Sequence, residues 1–300
     1  MELFFKLLNQ ENSRFISCVK CKGKLSLEIL DEHKSVIKEG FFSCSKCHLK
    51  YPIIFKIPIL VEDLTQFFTN RPFLGKWLIK LSLTNTMKKF IKNKIPIISK
   101  SESDFSAKEA FWTEIYRNNK TSIFYKNIKF QLSKIPPKNF VIEYGSSIGT
   151  ISNTLALKHK HVFGIDKSFF ALVEASKKSP KNCVYILSDV LKHPFGNKKF
   201  DLVVALNLFD IVEPSFLIKT ISKQISNGLI FLSDPYDYNR GKNSVKQPLD
   251  ENQIRTTLIQ NGFQITKNTK KPTKINWNIK FNERISINYK VDIIIARKSS

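Results

Sequence analysis

Phe140-Val-Ile-Glu-Tyr144, followed by Gly145-Ser-Ser-Ile-Gly149, is the stretch that decides the fold. The first five residues predict a strand, and the two glycines predict a turn that leads into a helix at about 150–158. Gly145 permits a tight turn and a close approach to a ligand, while Gly149 lets the helix start come near the strand. This unit is typical of a doubly wound parallel sheet.

Six further strands and several helices continue this alternation towards the end of the chain. The sequence predicts the strands at 161–165, 184–187, 200–205, 228–233, 264–269 and 291–296, and later helices at 214–226 and 251–260. We therefore predict an α/β fold with a Rossmann-like sheet of seven strands.

Polar residues follow several of these strands, where a sheet of this kind binds ligands. Asp166 ends the second strand and is placed to accept hydrogen bonds from two ribose hydroxyls. Nicotinamide dinucleotides are the competing ligand class, since their fingerprint also joins glycines to a later acidic residue. Glu143 argues against them, because a carboxylate beside the turn repels a pyrophosphate but attracts the ammonium of S-adenosylmethionine. Asp189, after the third strand, suits the adenine amino group.

Residues 105–297 resemble class I S-adenosylmethionine-dependent methyltransferases in the glycine turn, the acidic strand ends and the closing pair of strands. The resemblance implies that S-adenosylmethionine is the cofactor. It also implies a role for each strand end: Glu143, Gly145 and Gly149 surround the methionine moiety, Asp166 holds the ribose, Asp189 and Val190 border adenine, and Asn207 lies by the methyl group. Ser147 in the turn and Ser168 after the second strand complete the candidate cofactor residues.

The methyl acceptor is expected beyond strands four and five, at the loops 207–210 and 234–240. Asp210 and Tyr236 are the candidate catalytic residues for an acceptor that must lose a proton. The alternatives are a helix N-cap for Asp210 and a packing ring for Tyr236. These loops are similar to those of ovothiol-type methyltransferases in Asn207-Leu-Phe-Asp210 and Pro235-Tyr236, with Gly164-Ile-Asp-Lys-Ser168 also shared.

Four cysteines near the start of the chain form two Cys-x-x-Cys pairs, Cys18 with Cys21 and Cys44 with Cys47. Two such pairs complete a closed tetrahedral site, so we predict structural zinc. Two disulfides would require an oxidising compartment, and a redox dithiol would need a single motif at a helix start. His48 is expected on the surface, and Cys183 is expected to be buried.

The cysteine pairs flank predicted strands at 25–30 and 35–42 with a turn at 31–34, which is typical of a zinc ribbon. Residues 15–62 resemble the small zinc-ribbon activator subunit of tRNA and translation-factor methyltransferases, in the first cysteine pair and in the tail Tyr51-Pro-Ile…Ile-Pro-Ile-Leu60. Val19 replaces the proline that commonly follows the first cysteine. The resemblance implies a domain that stabilises a methyltransferase and does not itself catalyse.

Between the two regions, residues 63–104 predict a linker with helices at 73–83 and 87–94 and a flexible joint at 100–103. Further helices are expected at 106–117 and 123–132, whose aromatic residues Trp112, Tyr116 and Tyr125 either pack or cover the cofactor. An insert at 270–289, carrying Trp277 and Arg284, either walls the acceptor pocket or is a surface hairpin. The predicted domains are 1–62, 63–104 and 105–300.

Composition gives 42% apolar residues and a net charge of +24, with 49 basic residues of which seven are Arg. The charge favours either a nucleic-acid partner or a lysine-rich solvated exterior. Without a long apolar run or a signal peptide pattern, we expect a cytoplasmic protein with no membrane partner. The leading interpretation is a methyltransferase for a small molecule or peptide, the alternatives being an RNA methyltransferase and a non-catalytic partner protein.

Overall fold

The computed structural model describes residues 14–96, 104–239, 241 and 244–298. Contacts between residues divide the chain into two compact units. The first unit comprises Met1–Glu114, Ser147–Gly149 and Gly164–Gly196, and the second comprises Ile115–Ser146, Thr150–Phe163 and Asn197–Ser300. The three predicted domains remain a prediction. In the part of the chain that the structure describes, no helix is long and apolar enough to cross a membrane.

The first unit begins with a small antiparallel sheet of four strands in sequence order. The strands are β1 (Leu25–His33), β2 (Val36–Cys44), β3 (Lys50–Ile54) and β4 (Ile57–Pro58). The turn between β1 and β2 lies at Lys34 and Ser35, whose φ angles are 48° and 57°. Two consecutive positive φ angles make the tight turn that matches strand twist, so the predicted turn at 31–34 is too early.

Short helices follow the small sheet: α1 (Leu64–Thr69), α2 (Pro72–Leu81) and α3 (Asn85–Lys92). Asp63 caps α1 and Thr84 caps α3 by accepting backbone N–H groups, which stabilises each helix start. α1 was not predicted, because six residues are too few for a helical period to show. The predicted flexible joint at 100–103 lies outside the described residues.

The larger sheet has eight strands, seven of them in the order β10-β12-β9-β8-β5-β6-β7, with β11 paired to β12. These strands are β5 (Phe140–Tyr144), β6 (His161–Asp166), β7 (Cys183–Leu187), β8 (Leu202–Leu206), β9 (Gly228–Asp234), β10 (Phe263–Ile265), β11 (Ile275–Lys280) and β12 (Ser286–Lys298). β8 pairs in parallel with β5 and β9, whereas β12 is antiparallel to β9 and β10. This mixed sheet confirms the predicted α/β fold, with eight strands in place of the predicted seven because β11 is added beside β12.

Six helices accompany the larger sheet, and their positions agree with the sequence pattern. They are α4 (Phe105–Asn119), α5 (Ile123–Ser133), α6 (Ser152–Ala156), α7 (Phe169–Ser176), α8 (Pro214–Gln224) and α9 (Glu251–Gln260). The predicted sixth strand at 264–269 is shorter, because the chain turns into a 3₁₀ helix at Lys267–Thr269. Cys183 is fully buried, as predicted.

The predicted insert at 270–289 becomes the hairpin of β11 and the first half of β12, within the second unit. Its Trp277 is 4% exposed and stacks on Phe124 of α5, with ring centroids 4.8 Å apart. The Asn119 side chain donates to the Lys280 carbonyl and accepts from the Lys280 amide, each at 2.8 Å. The hairpin is therefore anchored on the helices and is not a free surface loop. Its role at an acceptor pocket stays a prediction.

Candidate functional site

Asp166 is held at the end of β6, within the first unit. Its Oδ2 accepts the backbone N–H of Ser147, and its Oδ1 accepts the backbone N–H of Ser168, each at 2.8 Å. Burial raises the pKa of this carboxyl, although these hydrogen bonds and Lys167 oppose the shift. The side chain is therefore fixed in place, and an ionised carboxylate with about four acceptor positions can still accept a hydrogen bond from a ligand.

The neighbouring candidates Ser168 and Asp189 are committed to contacts within the protein. The Ser168 hydroxyl accepts the Ala171 N–H at 3.2 Å and so caps α7. Asp189 accepts the Leu191 N–H at 2.8 Å through Oδ1 and pairs with Lys167 at 2.9 Å through Oδ2. These contacts hold the loops that follow β6 and β7. They leave Asp189 less free to meet a ligand than its sequence position indicates.

Glu143 lies near the end of β5 in the second unit and is only 3% exposed. The hydroxyl of Ser152, at the start of α6, donates to its Oε2. Nearby, the buried hydroxyl oxygens of Ser146 and Thr150 have no hydrogen-bond partner among the described residues. Buried hydroxyls without partners are costly, so this turn suits a polar ligand that supplies them.

Protein packing gives a second reason for the glycines of the turn. Gly145 has a φ of +69°, and a Cβ there would lie 2.6 Å from Leu208 in the second unit. Gly149 has a φ of +73°, and its Cβ would lie 2.2 Å from the hydroxyl of Tyr185 in the first unit. Both positions therefore exclude larger side chains before any ligand is considered.

The loops after β8 and β9 are joined through Asp234, a residue to which the sequence assigned no role. Asp234 is 1% exposed, and its two carboxylate oxygens accept the backbone N–H groups of Phe209 and Tyr236, each at 2.8 Å. Asn207 is held by Ser233, whose hydroxyl donates to its Oδ1 at 3.2 Å. Asn207 and Tyr236 are thereby fixed at one edge of the sheet.

Tyr236 belongs to a buried polar network that sequence reasoning missed. Its hydroxyl donates to Asp292 Oδ2 at 2.9 Å, and Arg255 binds both oxygens of Asp292 at 2.7 and 3.0 Å. Burial, with the charge of Asp292, raises the pKa of Tyr236 well above its usual range. The phenol therefore keeps its proton. The sequence does contain a sign of this network, since Asp292 is the lone acid in the apolar run 291–296 and a buried carboxylate needs a partner.

Asp210 is 2% exposed and does not cap α8, which begins at Pro214 with Glu213 as its N-cap. The N-cap alternative for Asp210 is therefore wrong. Burial raises the pKa of Tyr238, and the charges of Asp234 and Asp210 add to this shift.

Three candidate residues share a strained backbone conformation. Ser147, Asn207 and Tyr236 have φ angles of 46°, 55° and 55°, each just after a strand of the larger sheet. A non-glycine residue in this region costs about 1–3 kcal/mol, and such residues concentrate at functional sites. Elsewhere among the described residues, positive φ angles of non-glycine residues occur in turns of the small sheet and its cysteine pairs: Lys22, Lys34, Ser35, His48, Phe55 and Lys56.

The sulfur atoms of Cys18, Cys21, Cys44 and Cys47 all lie within 4.8 Å of one another, and we call these residues the cysteine cluster. All four are free thiols in the structure, and His48 is exposed outside the cluster. The Tyr51 hydroxyl lies 3.0 Å from Cys18 Sγ. Burial raises the pKa of Cys18, but hydrogen bonds from Tyr51 and nearby groups outweigh it and lower the pKa to about 6. The cluster can bind a metal ion through four sulfurs.

The small sheet contacts the edge strand β7 within the first unit. The Leu60 amide donates to the Leu187 carbonyl at 2.8 Å, and Ile59 forms a parallel bridge with the same residue. Beyond β7, Lys192 pairs with Glu62 at 2.7 Å, and Lys22 donates to the His193 carbonyl at 3.0 Å. Leu187 lies two residues before Asp189, which Val190 follows. The small sheet thus supports the strand end on which those residues lie.

In the comparison with protein families, residues 141–227 match the family described as "Methyltransferase domain". The match begins within β5 and ends after α8, so it contains the glycine turn, Asp166, Asp189, Asn207 and Asp210. Tyr236 lies beyond it.

Among curated proteins the chain has no match. One solved structure similar to it is magnesium protoporphyrin IX methyltransferase from Synechocystis PCC 6803, with 16% sequence identity and a TM-score of 0.43. The alignment covers 79% of this chain and 98% of that chain. N-methyltransferase NodS from Bradyrhizobium japonicum WM9 has 15% identity, coverages of 60% and 99%, and a TM-score of 0.46. A chain of the complex containing the Haloferax volcanii Trm112 methyltransferase activator has 12% identity, coverages of 64% and 94%, and a TM-score of 0.49.

Proposed function

We propose that the protein transfers a methyl group from S-adenosylmethionine to a small molecule or a peptide. The observation that carries this proposal is Asp166, a carboxylate fixed by the N–H groups of Ser147 and Ser168 within the matched methyltransferase domain. A carboxylate held in this way suits the two hydroxyls of a ribose.

The residues present fit this cofactor. Glu143 places a buried negative charge beside a turn with unpartnered hydroxyls, which suits an ammonium group and opposes a pyrophosphate. The proposal retains the remaining cofactor candidates: Gly145, Ser147, Gly149, Ser168, Asp189, Val190 and Asn207. When bound, the cofactor supplies an electrophilic methyl group on a sulfonium. The contribution of the chain is positioning, which can supply much of the acceleration of a displacement.

The acceptor is proposed to meet Asn207, Asp210 and Tyr236. Ser233 holds Asn207, while Asp234 and Asp292 hold Tyr236. Because Tyr236 keeps its proton, its contacts favour an orienting role. Asp210 is then the better candidate to accept a proton, where the acceptor must lose one.

For the cysteine cluster we propose structural zinc, supported by four sulfurs within 4.8 Å of one another and by a closed ligand set. We further propose that the ribbon stabilises the methyltransferase domain from within the same chain. Its contacts from Leu60 to Leu187 and from Glu62 to Lys192 support this role.

Calorimetric titration with S-adenosylmethionine tests the cofactor assignment. We expect the full-length protein to bind, and Asp166→Asn to bind about 10- to 100-fold more weakly, because hydrogen bonds to a charged group are lost. Glu283→Gln makes the same chemical change at an exposed site between β11 and β12 and should leave binding unchanged. Absence of binding by the unmodified protein would remove the proposal, whereas equal binding by Asp166→Asn would remove only the role of Asp166.

The acceptor class is tested by supplying labelled cofactor to cell extract that has been divided into nuclease-treated and untreated halves. Label in small molecules or peptides of both halves supports the proposal. Label confined to RNA, and lost with nuclease, would support the RNA alternative and contradict ours. RNA affinity that falls steeply with salt would agree with that second outcome.

A further inference from the structure

A surface of the second unit combines exposed apolar side chains with lysines. Leu157 and Ile123 are 81% and 76% exposed, the highest values among large apolar side chains of the described residues, and Phe130 is 59% exposed. Lysines alternate with them. We call this surface the α5 patch, and its members are Ile123, Lys126, Phe130, Lys134, Leu157 and Lys158.

Helical spacing and the contacts of Lys134 and Lys158 make the α5 patch continuous. Ile123, Lys126, Phe130 and Lys134 recur at intervals of three or four residues and so share the outer face, while the inner face of α5 is buried. Lys134 Nζ lies 4.2 Å above the ring of Phe130.

The C-terminal end of α6 brings Leu157 to the same place. Lys158 Nζ donates to the carbonyl of Ser133, the last residue of α5, at 2.6 Å. The residues that follow the two helices also contact each other, since the Lys160 amide donates to the Lys138 carbonyl at 2.9 Å. Leu157 therefore extends the apolar row of α5 beyond its end.

Charge on this surface is of one sign. Residues 118–165 contain seven lysines and one acidic residue, Glu143, which is 3% exposed. Asp201, from another element, contacts this segment, and its carboxylate accepts the N–H groups of Asn139 and Phe140 at 3.0 and 2.9 Å. The α5 patch itself thus has no acidic partner among the described residues of its own segment.

We propose that the α5 patch attaches the protein to the surface of an anionic membrane. Lysines above an apolar row match a layer of acidic headgroups over acyl chains, and their long stems let the charge stay at the headgroups. Attachment through exposed side chains needs no long apolar run, so the sequence pattern gave no sign of it.

The same lysines could meet RNA, but the composition of the α5 patch favours lipid. Isoleucine and leucine have no aromatic face on which bases can stack, and the patch has no arginine for bidentate phosphate contacts. Phe130 is its one ring, and Lys134 covers it. RNA is therefore an outcome of the test and not part of the proposal.

Flotation of the full-length protein with vesicles tests the proposal. We expect binding to vesicles of phosphatidylcholine with phosphatidylserine, weak binding to phosphatidylcholine alone, and loss of binding as salt rises. Leu157→Ser should weaken binding roughly tenfold, because one apolar side chain no longer leaves water. Lys134→Gln should weaken it about fivefold.

Matched controls exist elsewhere on the second unit. Ile259→Ser on α9 changes a side chain that is 60% exposed, and Lys219→Gln removes an exposed lysine of α8. Both should leave flotation unchanged, and circular dichroism should show every variant folded. The proposal is overturned if the protein fails to float with anionic vesicles, if the controls act like the patch variants, or if structured RNA displaces it while Leu157→Ser has no effect.

Discussion

The cysteine cluster and the strand-end site of the larger sheet are built in opposite ways. The cluster takes its four sulfurs from two short turns, with Lys22 and His48 both at a φ of 58°. The strand-end site lies in the second unit and takes Asn207 and Tyr236 from two separate strands, held by the hydroxyl of Ser233 and the carboxylate of Asp292. In our proposal the cluster depends on the ligands of a single ion, whereas the strand-end site depends on separate polar contacts. Single substitutions should therefore have very unequal effects.

The largest effect is expected at the cysteine cluster. Cys18→Ser removes one of four sulfurs, and because structural zinc contributes on the order of 10 kcal/mol to the folding of such domains, we expect the ribbon to unfold. Elemental analysis should find about one zinc per chain in the unmodified protein and much less in the variant. Thermal unfolding with and without a chelator gives the change in stability.

Cys183→Ala is the matched control, since Cys183 is fully buried but lies outside the cysteine cluster. It should keep its zinc. If the unmodified protein carries no zinc, or if Cys18→Ser retains it, the metal assignment is wrong. If Cys18→Ser loses zinc but binds the cofactor as well as the unmodified protein does, the stabilising role of the ribbon is wrong and the metal assignment still holds.

The next largest effect is expected for Arg255→Met, in the support of the strand-end site. Arg255 and Asp292 are 5% and 4% exposed, so the substitution leaves a buried carboxylate without its cation. Breaking such a pair costs about 3–5 kcal/mol, to be measured by urea denaturation. Arg255→Met with Asp292→Leu should recover part of the loss, because no charge then stays buried. A double variant as unstable as the single one would show that the pair is not the cause.

Acid should weaken both units through one buried histidine in each. Burial lowers the pKa of His159 in the second unit and of His193 in the first, each from 6.5 to about 4. The unfolded chain takes up these protons first, so stability present above pH 6.5 is lost as the pH falls towards 4. We expect a loss of roughly 2 kcal/mol for each histidine over that window.

Denaturation at several pH values checks this expectation and separates the two units. His193→Gln should reduce the loss of unfolding free energy at low pH in the unit that contains the ribbon. His159→Gln should reduce the same loss in the other unit. An unfolding free energy that is flat between pH 6.5 and 4 would contradict the assignment of neutral buried histidines.

What the sequence predicts well is what depends on neighbours along the chain. The turn at Gly145, the end of β6 at Asp166 and the cysteine pairs all depend on spacing within a few residues. The Arg255–Asp292 pair depends on how α9 meets β12, which no local pattern specifies. Likewise, Asp189 is a good candidate by position, yet its pairing with Lys167 follows from the approach of two separate loops.

The smallest effect on stability is expected for Tyr236→Phe. It removes one hydrogen bond to Asp292, which keeps Arg255 and the N–H of Thr273 at 2.7 Å, so we expect a loss of about 1 kcal/mol. Its effect on turnover, measured once an acceptor is identified, decides between two roles. An orienting ring leaves turnover within about tenfold, whereas loss of a proton-transferring group lowers it about 10²- to 10⁴-fold. Asp210→Asn gives the comparison. If it lowers turnover more than Tyr236→Phe does, with unchanged cofactor binding, Asp210 is the group that removes the proton. If Tyr236→Phe lowers turnover more, Tyr236 has that role.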